Sequence, residues 1–320
     1  LMDINNGEIL SLVSIPDYNL NHREDISDKN YINRATTGVY ELGSVFKSFT
    51  IAAALNYKLV SPKDEFLNLK KKMRCGGRII SEYDEDLPND LNVEDILVYS
   101  SNIGSVKIGE IIGKEKMKEF LGSIGILDKM KFDIEEVGTP LSFKWRDCKL
   151  KTVSYGHGIT TTPIQLAKGY AILANGGFQV NPTLIKKRFD KLKRQKILNN
   201  DVSVNLNYML RKVVTNGTAS LSDVEGYEVG GKTGTAQIVE NGLYTKKKIN
   251  TFASVFPISN PRYVLVVLLE DTKLSKDYVY KYRNKTGSFQ GTPFNTAGWT
   301  SVEIAGKIID KIGPILATKY

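Results

Sequence analysis

Six residues, Pro257 to Arg262, separate two runs that read as β-strands, Thr251 to Phe256 and Tyr263 to Leu269. A parallel pair needs a crossover of a dozen or more residues, so these strands pair antiparallel. A second antiparallel signal stands at the start of the chain. Apolar residues alternate on both sides of Asn6-Gly7, and Asn-Gly supplies the positive φ angles of a tight hairpin turn. Thr235 to Val239 reads as a further strand, and Val302 to Ile312 as a closing amphipathic helix. From about Val60 to Leu173 helical spacing dominates, with an irregular stretch near Cys75-Gly76-Gly77 and short helices around Val93 to Leu97 and Lys114 to Leu121. Asn19 to Asn33 and Thr272 to Asn295 read as polar loops. The expectation is an α+β chain: a mostly antiparallel sheet built from both chain ends, with a helical insertion between them.

Composition narrows the function classes. With 41% hydrophobic and 25% charged residues over 320 positions, neither disorder nor a collagen-like fibre is indicated. A net charge of +9 would suit an acidic partner. The lysines are spread along the chain, however, and the runs Lys70-Lys71-Lys72 and Lys246-Lys247-Lys248 lack interleaved aromatics to stack bases, so solvated surface charge is expected rather than nucleic-acid binding. Cys75 and Cys148 are too few for a disulfide scaffold or a Cys-rich metal site and leave one disulfide open. His22 and His157 lie in no CxxC or HExxH context, so no metal and no cofactor is expected. No apolar run reaches transmembrane length, and Leu1-Met2-Asp3-Ile4 reads as a strand already under way, as in a fragment of a longer protein.

The chemistry concentrates in three short motifs. Ser44 is the only serine with a lysine three positions later, Lys47, and residues three apart share one helix face. A serine hydroxyl needs such a base to act as a nucleophile, and a lysine serves only when burial and a second cation lower its pKa. Lys232 is the candidate cation. Ser100-Ser101-Asn102, following a helix that ends near Tyr99, offers a hydroxyl two residues from an amide, able to relay a proton and hold a lysine. Ser203-Val204-Asn205 matches the same pattern. Lys232-Thr233-Gly234-Thr235 enters a strand after Gly230-Gly231, where glycines permit close approach and the strand edge can pair with an extended peptide. Ser-x-x-Lys, Ser-x-Asn and Lys-Thr-Gly in this order form the signature of active-serine penicillin-recognising enzymes. A second Lys-Thr-Gly, Lys285 to Gly287, sits in loop-like surroundings and is set aside. The overlapping sequon Asn284-Lys285-Thr286 carries little weight in a chain read as bacterial.

One rival pattern covers Lys232. Gly226 to Thr233 satisfies the P-loop spacing, and Tyr263 to Leu269 ends in Glu270-Asp271 like a Walker B strand. A P-loop needs a buried strand before the glycines and a helix after the lysine. Here the preceding Asn216 to Ser220 is polar and Thr235 to Val239 reads as strand, so no nucleotide is expected.

Further segments extend the resemblance. Tyr40 to Lys47, Ser100 to Gly104, Ser154-Tyr155-Gly156-His157-Gly158 with Thr162 to Ala167, and Gly230 to Gln237 resemble class B penicillin-binding proteins, and most of all their division-type, septal D,D-transpeptidase. The resemblance runs from the first hairpin through Thr296-Ala297-Gly298-Trp299. It implies a penicillin-binding/serine β-lactamase-like fold: a five-stranded antiparallel sheet covered by helices, from about 1–55 and 200–320, beside an all-helical part, about 56–199, with the active site between them. Ser44 would attack the penultimate D-alanine of a stem peptide, Lys47 would take its proton, and Asn102 would orient Lys47 and the substrate amide. Ser100 with Lys232 would pass a proton to the leaving group, while Thr233, Gly234 and Thr235 would hold the substrate. The amides of Ser44 and Thr235 would form an oxyanion hole. Implied partners are peptidoglycan stem peptides, β-lactams, a glycosyltransferase and other divisome proteins, and the implied location is the periplasmic face of the inner membrane, through an anchor and pedestal outside this chain. An elongation-type role, a β-lactam sensor and a β-lactamase are the alternatives; the last would need a deacylating glutamate, for which Glu135 and Glu136 are the candidates by order. Leu42 stands where many relatives have proline, and His157 where tyrosine is common. His157 is expected to be a satisfied packing histidine or a residue that shapes the cleft.

Overall fold

The computed structural model describes the chain except residues 18, 20, 23–30, 187–193, 241, 284, 319 and 320, so most of the polar stretch 19–33 and the sequon asparagine Asn284 lie outside the described residues. The first strand, β1 (Met2–Asp3), is followed by a 3₁₀ turn, Gly43–Phe46, that runs directly into α1 (Lys47–Asn56). Residues 47–55 of α1 are all buried, so this helix has no solvent face and lies at the centre of the molecule. Its run of Ala52, Ala53 and Ala54 lets α1 be surrounded on every side.

The middle of the chain is not purely helical. It holds β2 (Glu65–Phe66), β3 (Lys72–Cys75), β4 (Arg78–Ser81) and β5 (Leu91–Asn92), and then α2 (Val93–Val98), α3 (Asn102–Ile112), α4 (Lys114–Ser123), α5 (Asp147–Val153) and α6 (Pro163–Ala174). β3 and β4 form an antiparallel hairpin turning at Gly76-Gly77, where irregular chain was expected. Gly76 takes the positive φ of +59° that the turn needs. Cys75, at the end of β3, is disulfide-bonded to Cys148 in α5. Asn92, Ser101 and Thr162 cap α2, α3 and α6, each accepting from a backbone N–H three residues on.

After α7 (Asn200–Thr215) come the strands β6 (Gly230–Glu240), β7 (Leu243–Phe256) and β8 (Tyr263–Glu270). The main sheet is antiparallel in the order β1-β8-β7-β6. Among the described residues it has four strands rather than the five implied by resemblance, because the returning arm of the first hairpin meets β1 only through the bridge Met2 to Ile9. Between that arm and β8 lies a groove of about 960 Å³. Every residue of β7 from Ile249 to Phe256 is buried, so both of its faces are covered. The polar stretch 272–295 carries a second hairpin, β9 (Val279–Lys281) with β10 (Ser288–Gln290), anchored by Tyr280, whose hydroxyl donates to the carbonyl of Trp299 at 2.7 Å. The closing helix α8 (Ser301–Ala317) and α6 both pack on β7 and β8, and α7 packs on β6. Among the described residues no helix is long and apolar enough to cross a membrane.

Candidate active site

The 3₁₀ turn places Ser44 and Lys47 on one side, since residues three apart eclipse in that geometry. Two glycines let the turn close on β6. A Cβ at Gly234 would stand 2.1 Å from the carbonyl oxygen of Leu42, and one at Gly43, which has φ +63°, would stand 2.9 Å from that of Thr235. The far end of the turn is held by Tyr170, whose hydroxyl donates to the Val45 carbonyl at 2.8 Å and meets Ser48 Oγ at 3.0 Å. Leu42, at the position where proline is common, is fully buried and packs instead as core.

Lys47 is also fully buried. Its Nζ bonds Asn102 Oδ1 at 2.7 Å, Ser100 Oγ at 3.0 Å and the carbonyl of Ser100. Ser100 links α2 to α3 with a left-handed φ of 63°, rare for a residue with a side chain and the kind of strain that collects at functional sites. From β6, Lys232 Nζ reaches the same Ser100 Oγ at 2.9 Å. Three segments far apart in sequence thus converge on one hydroxyl. Among the described residues no hydrogen bond joins Lys47 to Ser44, as is common for catalytic pairs without substrate.

Burial dominates the electrostatics. It lowers Lys232 to about 7. Burial also pushes Lys47 well below the ordinary lysine value, and the nearby Lys232 pushes it the same way while Glu82 opposes. A neutral amine keeps two N–H donors and gains a lone pair, so Lys47 can donate to Asn102 and the Ser100 carbonyl while accepting a proton from a hydroxyl.

Thr233 and Thr235 lie on β6, the terminal strand of the sheet. Thr233 Oγ1 meets Thr218 Oγ1 at 2.7 Å. Thr235 Oγ1 donates to Asn250 Oδ1 at 3.1 Å and accepts from the amide of Ala297 at 3.0 Å. Asn250 in turn bonds Asn295 and Thr272, a support that no local sequence pattern marks. Beside the turn, the ring of His157 is stacked between Tyr155 and Tyr244, with centroids 5.9 and 5.0 Å away. Tyr244 Oη meets His157 Nε2 at 2.9 Å and the Glu41 carboxylate at 3.3 Å. Burial lowers the His157 pKa, which favours the neutral ring at physiological pH.

Other candidates fall away from the cluster. Lys232 lies within β6 with no helix after it, which removes the P-loop reading. Ser203 and Asn205 lie inside α7, where Ser203 Oγ donates to the carbonyl of Leu173 and accepts from the amide of Gly176. Lys285 and Gly287 lie in the turn between β9 and β10. Glu135 and Glu136 are exposed. The carboxylate that does reach the cluster's neighbours is Glu82, just after β4. It accepts from Ser101 Oγ at 2.6 Å, the Asn102 amide at 2.6 Å and the Ile103 amide at 3.1 Å, and the adjacent Ser81 carbonyl accepts from Asn102 Nδ2 at 2.8 Å. Sequence reading passes over Glu82; the signal that leads to it is the glycine pair of the β3–β4 turn.

Comparison with known proteins bears on the family and the fold. The family model described as penicillin binding protein transpeptidase domain matches residues 1–288. The chain is 29% identical, over 99% of its length, to the probable peptidoglycan D,D-transpeptidase FtsI of Caulobacter vibrioides, and covers 53% of that protein. It is 31% identical to the probable peptidoglycan D,D-transpeptidase PenA of Neisseria flavescens, over 85% of this chain and 68% of that one. Stage V sporulation protein D of Bacillus subtilis is 31% identical over 85% of this chain and 45% of its own length. The chain thus spans about half the length of most of these relatives. Among solved structures, the apo TP domain of Burkholderia pseudomallei penicillin-binding protein 3 matches with a TM-score of 0.80 at 26% identity, covering 98% of this chain and 86% of that one.

Proposed function

The chain belongs to the class B penicillin-binding protein transpeptidase family, and on that premise we propose that it is the catalytic part of a septal peptidoglycan D,D-transpeptidase that β-lactams acylate. The observation that carries the reading is the single Ser100 hydroxyl held between Lys47 and Lys232, with Asn102 as Lys47's second partner.

In this mechanism neutral Lys47 takes the proton of Ser44 as Oγ attacks the carbonyl carbon of the penultimate D-alanine of a stem peptide. The amides of Ser44 and Thr235 stabilise the oxyanion, each donor contributing about 3–4 kcal/mol in comparable acyl transfers. Collapse breaks the peptide C–N bond. The leaving nitrogen receives a proton through Ser100 from Lys232, and terminal D-alanine departs. An amine of a second stem peptide then attacks the Ser44 ester; its proton passes through Ser100 back to Lys232, and Lys47 returns its proton to Ser44 Oγ as the ester C–O bond breaks and the cross-link forms. Thr233, Gly234 and Thr235 bind the donor's terminal carboxylate and backbone along the outer edge of β6. In this reading a sheet part, about 1–55 and 200–320, carries Ser44 and Lys232, and a mainly helical part, about 56–199, carries Ser100 and Asn102. Across that division, α6 packs on β7 and β8.

The names FtsI and PenA borne by relatives favour the septal role over elongation. The same likeness supports action on the outer face of the cytoplasmic membrane, beside a glycosyltransferase and other divisome proteins. Glu135 and Glu136, exposed as they are, offer no support for a β-lactamase. The test is release of D-alanine from a pentapeptide donor in the presence of an amine acceptor. Transfer to the amine supports the proposal; hydrolysis alone, or an acyl-enzyme that transfers to no amine, contradicts it.

A further inference from the structure

Glu82 is 8% exposed, directly follows β4, and uses both carboxylate oxygens on the start of α3. The first helical amides of α3 have no partner inside the helix. Glu82 accepts from those of Asn102 and Ile103, and Ser101 Oγ, itself donating to Glu82, accepts from that of Gly104. One side chain therefore fixes the two peptides that follow Ser101. Its neighbour Ser81 fixes the amide group of Asn102 from the other side, leaving Asn102 Oδ1 to face Lys47. The hairpin is itself secured: the Glu82 amide donates to Lys71 at 2.9 Å, and Cys75 is tied to α5 by the disulfide.

We propose that Glu82 is a positioning residue for acylation of Ser44: by pinning residues 101–103, just after the end of α2 where Ser100 turns, it sets Asn102 Oδ1 against Lys47 beside Ser100 Oγ. The inference rests on the proposed acyl-transfer reading of the site. A group that only stabilised α3 would affect folding and leave the chemistry alone. Glu82 differs in two respects. It sets the partners of the base, and its charge acts on the base directly, because the charged groups facing Lys47 are Lys232 and Glu82.

Penicillin acylation of the wild-type chain, Glu82→Gln and Glu82→Asp, with pre-acylation affinity and acylation rate measured separately from pH 5 to 9, tests this. Glu82→Gln is expected to lower the acylation rate constant ten-fold or more while affinity changes by less than about three-fold, since orientation of the base and not ground-state binding is lost. Its acidic limb moves to lower pH, because the charge that lifts Lys47 is gone. Glu82→Asp keeps the charge but is one methylene short, so its rate falls while its acidic limb stays where the wild type has it. A Glu82→Gln rate within about two-fold of wild type, or an unmoved acidic limb, overturns the proposal. If Glu82→Gln does not fold, a Glu82→Asp rate equal to that of the wild type overturns it. Failure of the wild-type chain to form any Ser44 adduct would instead sink the acyl-transfer reading itself, a result separate from these.

Discussion

Lys47 and Lys232 meet on one oxygen, Ser100 Oγ, at 3.0 and 2.9 Å. Burial lowers the pKa of both. The two nitrogens lie within about 6 Å of each other, close enough for the charge of Lys232 to disfavour that of Lys47 as well, so the cluster holds its protons more weakly than lysines in water do, as a general base at neutral pH requires.

The pH dependence of acylation follows. In the proposed mechanism Lys47 acts as the neutral amine, and burial with the charge of Lys232 holds its pKa well below the ordinary lysine value, so acylation is expected to fall as pH drops through that lowered pKa. In the same mechanism Lys232, lowered to about 7, donates as the cation, so proton delivery to the leaving group is expected to weaken above that pH. A bell-shaped profile of the second-order rate constant for a fluorescent penicillin is expected, its two limbs belonging to the coupled pair. A profile flat down to about pH 5 would count against lysine as the base.

A buried lysine also costs stability. The unfolded chain binds the Lys232 proton up to the ordinary lysine pKa, whereas the folded chain releases it near 7. Between those values stability rises with pH, and at lower pH the cost is fully present. Lys232→Met should therefore raise stability by roughly 0.5–2 kcal/mol at pH 7, in the manner of stabilising changes at strained active sites, while acylation collapses. Thermal melts at pH 6 and pH 10 check the sign: the gain over wild type should be larger at pH 6.

The Cys75–Cys148 bond closes 73 residues of chain and ties the hairpin behind Glu82 to the helix that leads into Tyr155 and His157. Replacing both cysteines by serine should lower stability by about 2–4 kcal/mol. Denaturant melts of the double variant measure this, and an unchanged midpoint would mean that the hairpin holds without its tether.

How much of this was legible depended on the range of the signal. Ser44 with Lys47, Ser100 with Asn102, and Lys232 with Thr235 stand close together in sequence, and the strand after Lys232 separates acyl transfer from nucleotide binding. Their supports are not local. Glu82 reaches Asn102 across 20 positions, and Thr235 depends on Asn250, which depends on Asn295. The β3–β4 hairpin left only half a mark: Lys72 to Cys75 alternates in the strand manner, Arg78 to Ser81 does not, and four-residue strands are too short to stand out against helical surroundings. Two cysteines could not announce a pairing that depends on α5 lying beside that hairpin. The strand count failed for a different reason: an Asn-Gly turn specifies a hairpin, but here pairing beyond it stops after a single bridge.

Intact-mass analysis after incubation with benzylpenicillin tests the central claim most directly. The account predicts one penicilloyl adduct per wild-type chain, mapped by peptide fragmentation to Ser44, and none on a Ser44→Ala variant that keeps its circular dichroism spectrum. An adduct on folded Ser44→Ala, or on any serine other than Ser44 in the wild type, would contradict it.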